Sequence, residues 1–131
     1  MNRRVVLDTN ILVSALLSPD GNAAAILGMV ADGQLQAIYC PRILDEYTLV
    51  LTRRRFAFPH ARVEKALDIF RVYGISIHPI ASDCSMPDES DRIFYDTALT
   101  ASAMLITGNR KHYPANSCII TPADFIHAIR G

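Results

Sequence analysis

Cysteine is scarce in this chain: Cys40, Cys84 and Cys118 are all there are in 131 residues. An odd number with no Cys-x-x-Cys spacing argues against a disulfide framework, and no Cys/His group has zinc-site spacing. Net charge is absent as well, with 13 Lys and Arg against 13 Asp and Glu. Any charged recognition must therefore come from local patches rather than from a global field. No apolar run approaches the ~20 residues that a membrane-spanning helix needs. Val5-Val6-Leu7 is too short for a signal-peptide core, and Asp8 interrupts it. These absences lead to the expectation of a reduced, cytoplasmic protein with no membrane association. Neither Gly-x-Gly-x-x-Gly nor Gly-x-x-x-x-Gly-Lys-Ser/Thr occurs, which removes the Rossmann and P-loop readings. Repeats, low-complexity stretches and linkers are missing too, so residues 1–131 are expected to form one domain.

What the chain does have is a hydrophobic content of 50%, enough for a normal core. It falls into short apolar runs separated by helical patterns. Val5-Val6-Leu7 reads as a buried strand, and Thr9 and Asn10 are good N-caps for a helix over Ile11–Leu17. Ser18-Pro19-Asp20-Gly21 is a turn, and Asn22 can cap a second helix over Ala23–Val30. Residues 36–40 make a second strand, and Pro41 suits the first turn of the helix after it. Arg53-Arg54-Arg55 closes that helix. Val63, Ala66, Leu67, Phe70 and Tyr73 recur at helical spacing up to Gly74, a natural C-cap. Ile75-Ser76-Ile77 is a third strand that Ile80 can extend. A helix around Ile93–Ala101, a strand over Ala103–Thr107, a strand over Ser117–Ile120 and a helix from Pro122 complete the chain. Buried-looking strands alternating with helices predict an α/β fold: a three-layer α/β/α sandwich around a parallel sheet of about five strands.

The acids without an obvious structural task fall at the carboxyl ends of these strands. Asp8 ends the first, Glu46 lies just after the second, and Asp88 and Asp91 open the helix after the third. Thr107 and Asn109 follow the fourth, and Asn10 lies close behind Asp8 in the chain. Open α/β sheets collect their ligands at this edge. Carboxylates crowded together raise one another's pKa, and a hard divalent cation relieves the repulsion. Mg²⁺ or Mn²⁺ suits oxygen ligands, and such a site activates water against a phosphodiester. Structural roles compete. Glu46 favours its helix dipole, and Asp88 is placed to cap its helix. Asp96 stands about 140° round an ideal helix from Asp91 and four residues from Arg92, the spacing of a surface ion pair.

With those residues in view, four motifs in order resemble the PIN domain. They are Val-Val-Leu-Asp-Thr-Asn at Asp8, Leu-Asp-Glu-Tyr at Glu46, Asp-Glu-Ser-Asp-Arg-Ile-Phe-Tyr-Asp-Thr-Ala at Asp91, and Leu-Ile-Thr-Gly-Asn-Arg-Lys-His-Tyr-Pro. More narrowly they resemble the bacterial branch of PIN-family toxins in toxin–antitoxin systems. The resemblance implies a metal-dependent endoribonuclease leaving 5′-phosphate and 3′-hydroxyl ends. Asp8, Glu46 and Asp91 match its Mg²⁺ or Mn²⁺ ligands, and Thr107 and Asn109 match its later polar motif. Asp88 and Asp96 belong to its acidic motif. Many members carry aspartate where this chain has Asn109, an amide that brings no charge to a second metal. The resemblance further implies an RNA substrate, an antitoxin partner and a homodimer; the apolar helices at Ile11–Leu17 and Ala23–Val30 can serve either a dimer interface or the core.

Substrate grip needs cations, because phosphates dominate nucleic-acid affinity. Arg53, Arg54, Arg55, Arg110, Lys111 and His112 are the candidates, with Arg110 and Lys111 nearest the acids. Tyr47, Phe56 and Phe58 suit core packing better than base stacking. Two other functions compete. A catalytically impaired PIN-like module binding RNA or protein finds its support in Asn109, but Asp8, Glu46 and Asp91 argue against it. A receiver-like phosphoacceptor domain needs a paired acidic motif at the first strand and a lysine after the last. No lysine follows Lys111.

Overall fold

In the computed structural model, which describes residues 2–131, the first apolar run becomes β1, Arg4–Leu7, the middle of a five-stranded parallel sheet. Successive strand side chains point to opposite faces, yet Val5, Val6 and Leu7 are all fully buried. Both faces of the sheet are therefore covered, which makes the architecture an α/β/α sandwich. The remaining strands are β2 (Gln36–Tyr39), β3 (Ile75–Ser76), β4 (Met104–Ile106) and β5 (Ile119–Ile120), arranged β3-β2-β1-β4-β5.

This order decides where a ligand can sit. From β1 the chain moves outward through α1 (Thr9–Leu17) and α2 (Asn22–Ala31) to β2, then through α3 (Pro41–Leu51) and α4 (His60–Tyr73) to β3. It then crosses back by α5 (Arg92–Ala101) to β4, on the other side of β1, and ends with β5 and α6 (Pro122–Arg130). The winding direction reverses between β1 and β4, so the crevice at their carboxyl ends is the switch point of the sheet. Leu7 pairs with Ile106 in the ladder, and the next residues, Asp8 and Thr107, emerge side by side.

Four local expectations change. β3 stops at Ser76; Ile80 does not lengthen it, because its N–H is held by Thr100 Oγ1 at 2.9 Å. Gly74 does cap α4 but with extended backbone, φ −79°. A Cβ there would lie 2.5 Å from the Phe70 carbonyl and 2.9 Å from the Tyr39 ring, so close packing is what requires glycine. The arginine triplet does not close α3, which ends at Leu51 with Thr52 as C-cap; Arg54–Phe56 forms a separate 3-10 turn. At α1 the N-cap is Asp8 rather than Thr9 or Asn10. Ile11, Leu12, Ala15, Ile26 and Val30 go into the core. No single helix among the described residues is long and apolar enough to cross a membrane.

Candidate metal centre

Asp8 continues the β1 ladder through its N–H, which donates to Ile106 O at 3.0 Å, and then turns the chain into α1. Its carboxylate is only 6% exposed. Two hydroxyls donate to the same oxygen, Oδ2: Thr107 Oγ1 at 2.8 Å and Tyr113 OH at 2.9 Å. Oδ1 receives no hydrogen bond from the described residues. Thr107 Oγ1 accepts in turn from the Asn109 N–H at 3.0 Å, and Asn10 Oδ1 accepts from the Gly108 N–H at 3.1 Å. The turns after β1 and β4 are thus stitched together, with Asp8 held by one oxygen and open at the other.

The second acid arrives from the crossing segment. A 3-10 turn at Glu89–Asp91 precedes α5, capped by Asp88, whose Oδ1 accepts from Ser90 N (2.9 Å) and Ser90 Oγ (2.8 Å). Those bonds hold the Asp88 carboxyl below its ordinary range. Asp91 behaves oppositely. Its Oδ2 is shielded from solvent and accepts no hydrogen bond, although His112 Nδ1 stands 3.4 Å away. Burial first, then the charges of Asp8 and Asp88, push its pKa up to about 6, with His112 opposing. Burial, then the charges of Asp8 and Asp91, drive the Tyr113 phenol far upward, so it stays protonated and remains a donor.

Glu46 comes from α3, half-buried. It lines a cavity of about 300 Å³ with Arg42, Asp45, Leu49, Ser90 and Ile93. Ser90 belongs to the acidic turn, so Glu46 and that turn share one wall. The neighbouring Tyr47 anchors α3: fully buried, it packs 4.8 Å from the Phe70 ring and donates its hydroxyl to Leu7 O at the end of β1. Tyr47 is therefore a core residue with a positioning role.

Other expected residues go elsewhere. Asp96 does not pair with Arg92. It is 5% exposed, and both its oxygens are taken by Ser82, Oδ2 from the N–H at 3.2 Å and Oδ1 from the hydroxyl. Arg92 instead pairs with Glu89 at 2.7 Å and donates to the Ser82 and Cys84 carbonyls. The loop before α5 thus brings a partly buried partner, Ser82, to Asp96. Asn109 is exposed and takes part through its backbone alone, its N–H donating to Thr107 and its carbonyl accepting from the His112 N–H at 3.0 Å. Arg110 and Lys111, both exposed, form with His112 a 3-10 turn just beyond it. Arg53 and Arg54 are exposed, while Arg55 lies over Phe56, 4.8 Å from the ring centroid, and Phe56 stacks on Phe58 at 5.2 Å.

Two participants were not identified as such from sequence: Tyr113, and His112 as a neighbour of Asp91. Both lie in the Lys-His-Tyr-Pro stretch, six and seven residues past Ile106 at the end of the fourth strand, but nothing local shows that this turn returns to Asp8.

The donor set fits a hard divalent cation. Asp8 presents an unused oxygen, Asp91 carries a buried oxygen with no donor, and their mutual repulsion lifts the Asp91 pKa. Residues 4–111 match the sequence model of the PIN domain. An uncharacterized protein of Methanocaldococcus jannaschii is 30% identical over 110 residues, covering 82% of this chain and 71% of the relative. No solved structure gives a significant match.

Proposed function

This chain belongs to the PIN-domain family, and from that premise we propose that it is a Mg²⁺- or Mn²⁺-dependent endoribonuclease. PIN domains are generally metal-dependent nucleases. The observation that carries the reading is Asp91: a carboxylate oxygen shielded from solvent and without a donor, on a residue near enough to the buried Asp8 for that charge to raise its pKa. An uncompensated pair of this kind is costly to maintain unless a cation joins it.

Asp8 and Asp91 would hold the ion, with Glu46 direct or through water. A bound ion would supply neutralisation of the acids, activation of water and stabilisation of charge on the phosphodiester. Thr107 and Tyr113 fix the Asp8 carboxylate through Oδ2 and leave Oδ1 without a hydrogen bond. Tyr47 ties Glu46's helix to the end of β1. Arg110 and Lys111, next to the crevice, take phosphates, and Arg53 and Arg54 extend the basic surface. In this reading residues 1–131 act as one domain, in the cytoplasm, as the toxin of a toxin–antitoxin pair. Support for the toxin role, for an antitoxin partner and for a homodimer comes from the motif resemblance alone. Asn109 is compatible with an impaired binding module, but the intact acid pair favours catalysis.

The test is cleavage of labelled single-stranded RNA, with DNA in parallel, for the wild type, Asp8→Asn and Asp91→Asn. Metal-dependent cutting that EDTA stops and either substitution abolishes is expected. Cutting that survives in both folded variants would refute the site, and absence of both cutting and Mn²⁺ binding would favour the binding module.

A further inference from the structure

We propose that the turn over Arg53–Phe58 is a stacking platform for an unpaired base of the RNA, with the surrounding arginines on the neighbouring phosphates. The inference rests on the nuclease reading above and narrows its substrate to single-stranded RNA, whose bases are free to stack. The turn joins α3, which carries Glu46, to α4 and contains none of the acids of the candidate centre.

Three observations carry it. First, Phe56 and Phe58 stack nearly parallel, their planes 7° apart and their centroids 5.2 Å apart, and the exposed Arg55 guanidinium lies over Phe56. Phe58 packs against the core, whereas Phe56 is half-buried and stands outside that packing. Core packing thus accounts for Phe58 and leaves Phe56 without a task. Bases stack on aromatic rings and on guanidinium planes alike, so this column offers a base a surface of either kind. Second, Ala57 has left-handed backbone, φ 50° and ψ 33°. A residue with a Cβ is disfavoured there, and the strained step falls between the two stacked rings. Third, from Tyr47 to Val63 the chain holds Arg53, Arg54, Arg55, His60 and Arg62 and no acid. None of Arg53, Arg54 and Arg55 enters an ion pair among the described residues, which leaves their charge for phosphates.

The placement agrees with a strand that also reaches the acids. Arg62 Nη2 donates to Leu16 O at 2.8 Å, which fastens the first turn of α4 to the last turn of α1. Asp8 caps the other end of α1, whose nine residues span about 13 Å. A short single strand bridges that distance, so a base on the platform and a phosphate at Asp8 can belong to one molecule. In a duplex the bases are already paired and stacked on one another, and the rings have nothing to take.

The chain has no tryptophan, so Phe56→Trp introduces a single fluorescent reporter at the platform. The experiment titrates the whole chain with a labelled single-stranded RNA and with the same sequence as a duplex, in EDTA to keep both intact. It compares the wild type, Phe56→Trp and Phe56→Leu. Leucine keeps apolar bulk and loses the ring, and melting curves establish that each variant is folded. Single-strand affinity should fall roughly tenfold in Phe56→Leu, while duplex affinity changes less than about twofold. Phe56→Trp should bind as the wild type does, with its fluorescence quenched by the single strand and not by the duplex. Equal losses for both RNAs, unchanged single-strand affinity in Phe56→Leu, or an unquenched tryptophan in the bound complex would each overturn the proposal. A shift in oligomeric state in Phe56→Leu with RNA affinity intact would do the same, by making the ring a protein interface. RNA cleavage by the wild type in Mn²⁺ with no quenching in Phe56→Trp would remove the platform and leave the nuclease standing. Quenching and the selective loss, without any cleavage, would keep the platform and remove the nuclease.

Discussion

Asp8 and Asp96 are the two aspartates that the fold buries, at 6% and 5% exposure, yet their surroundings differ in kind. Around Asp96 every donor has a purpose. Ser82 supplies both its N–H and its hydroxyl, and Arg92 grips the same loop through the Ser82 and Cys84 carbonyls while pairing with Glu89. This clasp fastens the loop to α5. Around Asp8 two hydroxyls converge on one oxygen, and the facing Asp91 has an oxygen with none. A buried acid with all its capacity used is architecture; one with capacity left over, next to another acid, is a candidate site.

The sharpest way to break the comparison is to neutralise acids in both places. Asp8→Asn and Asp91→Asn should each lower the RNA-cleavage rate by about three orders of magnitude, the scale of the several kcal/mol a metal supplies. Thermal melts in EDTA should show Asp91→Asn as stable as the wild type or more so, because a repulsion is removed. Asp96→Ala should do the opposite. It strands the Ser82 donors, so urea denaturation should reveal a loss of about 2 kcal/mol, while cleavage per folded molecule changes little.

Smaller effects refine the Asp8 side. Tyr113→Phe deletes one of the two donors to Asp8 Oδ2, and calorimetry should find Mn²⁺ binding weakened by roughly tenfold. Metal affinity should also climb as pH rises through about 6, because Asp91 must lose its proton to bind. The same shift bears on folding. The native Asp91 pKa, raised from 3.8 to about 6, means the native state holds the extra proton in that window, so this residue's contribution falls as pH rises through it. In EDTA, the wild type should therefore lose stability relative to Asp91→Asn between those pH values; a constant difference would contradict the raised pKa. Least dramatic is substrate grip: replacing Arg110 or Lys111 with alanine should reduce the salt dependence of RNA binding by about one unit of slope each.

Much of this was legible in the chain because the signals are local. Val5-Val6-Leu7 announces a two-sided buried strand by its lack of a polar alternate, and the acid that follows must appear at its carboxyl end. Asp88 sits where a cap is needed, and Ser90 answers it. The misjudged residues share one property: their partners are distant in sequence or reached by an irregular segment. Asp96 and Arg92 are properly spaced for a helical pair, but Ser82, fourteen residues before Asp96, meets the need of the buried carboxylate for donors, while Arg92 is held by Glu89 and by Ser82 itself. Tyr113 lies 105 residues from Asp8, and periodicity carries no information over such a distance.

The sequence by itself determined the alternation of strands and helices, and with it the edge on which Asp8, Glu46, Asp91 and Thr107 collect, since hydrophobic period and capping act over a few residues. Only the tertiary structure decided which oxygen of Asp8 stays open, that Asp91 lacks a donor, and that His112 stands beside it. Those outcomes depend on the strand order β3-β2-β1-β4-β5, which brings turns a hundred residues apart within hydrogen-bonding reach.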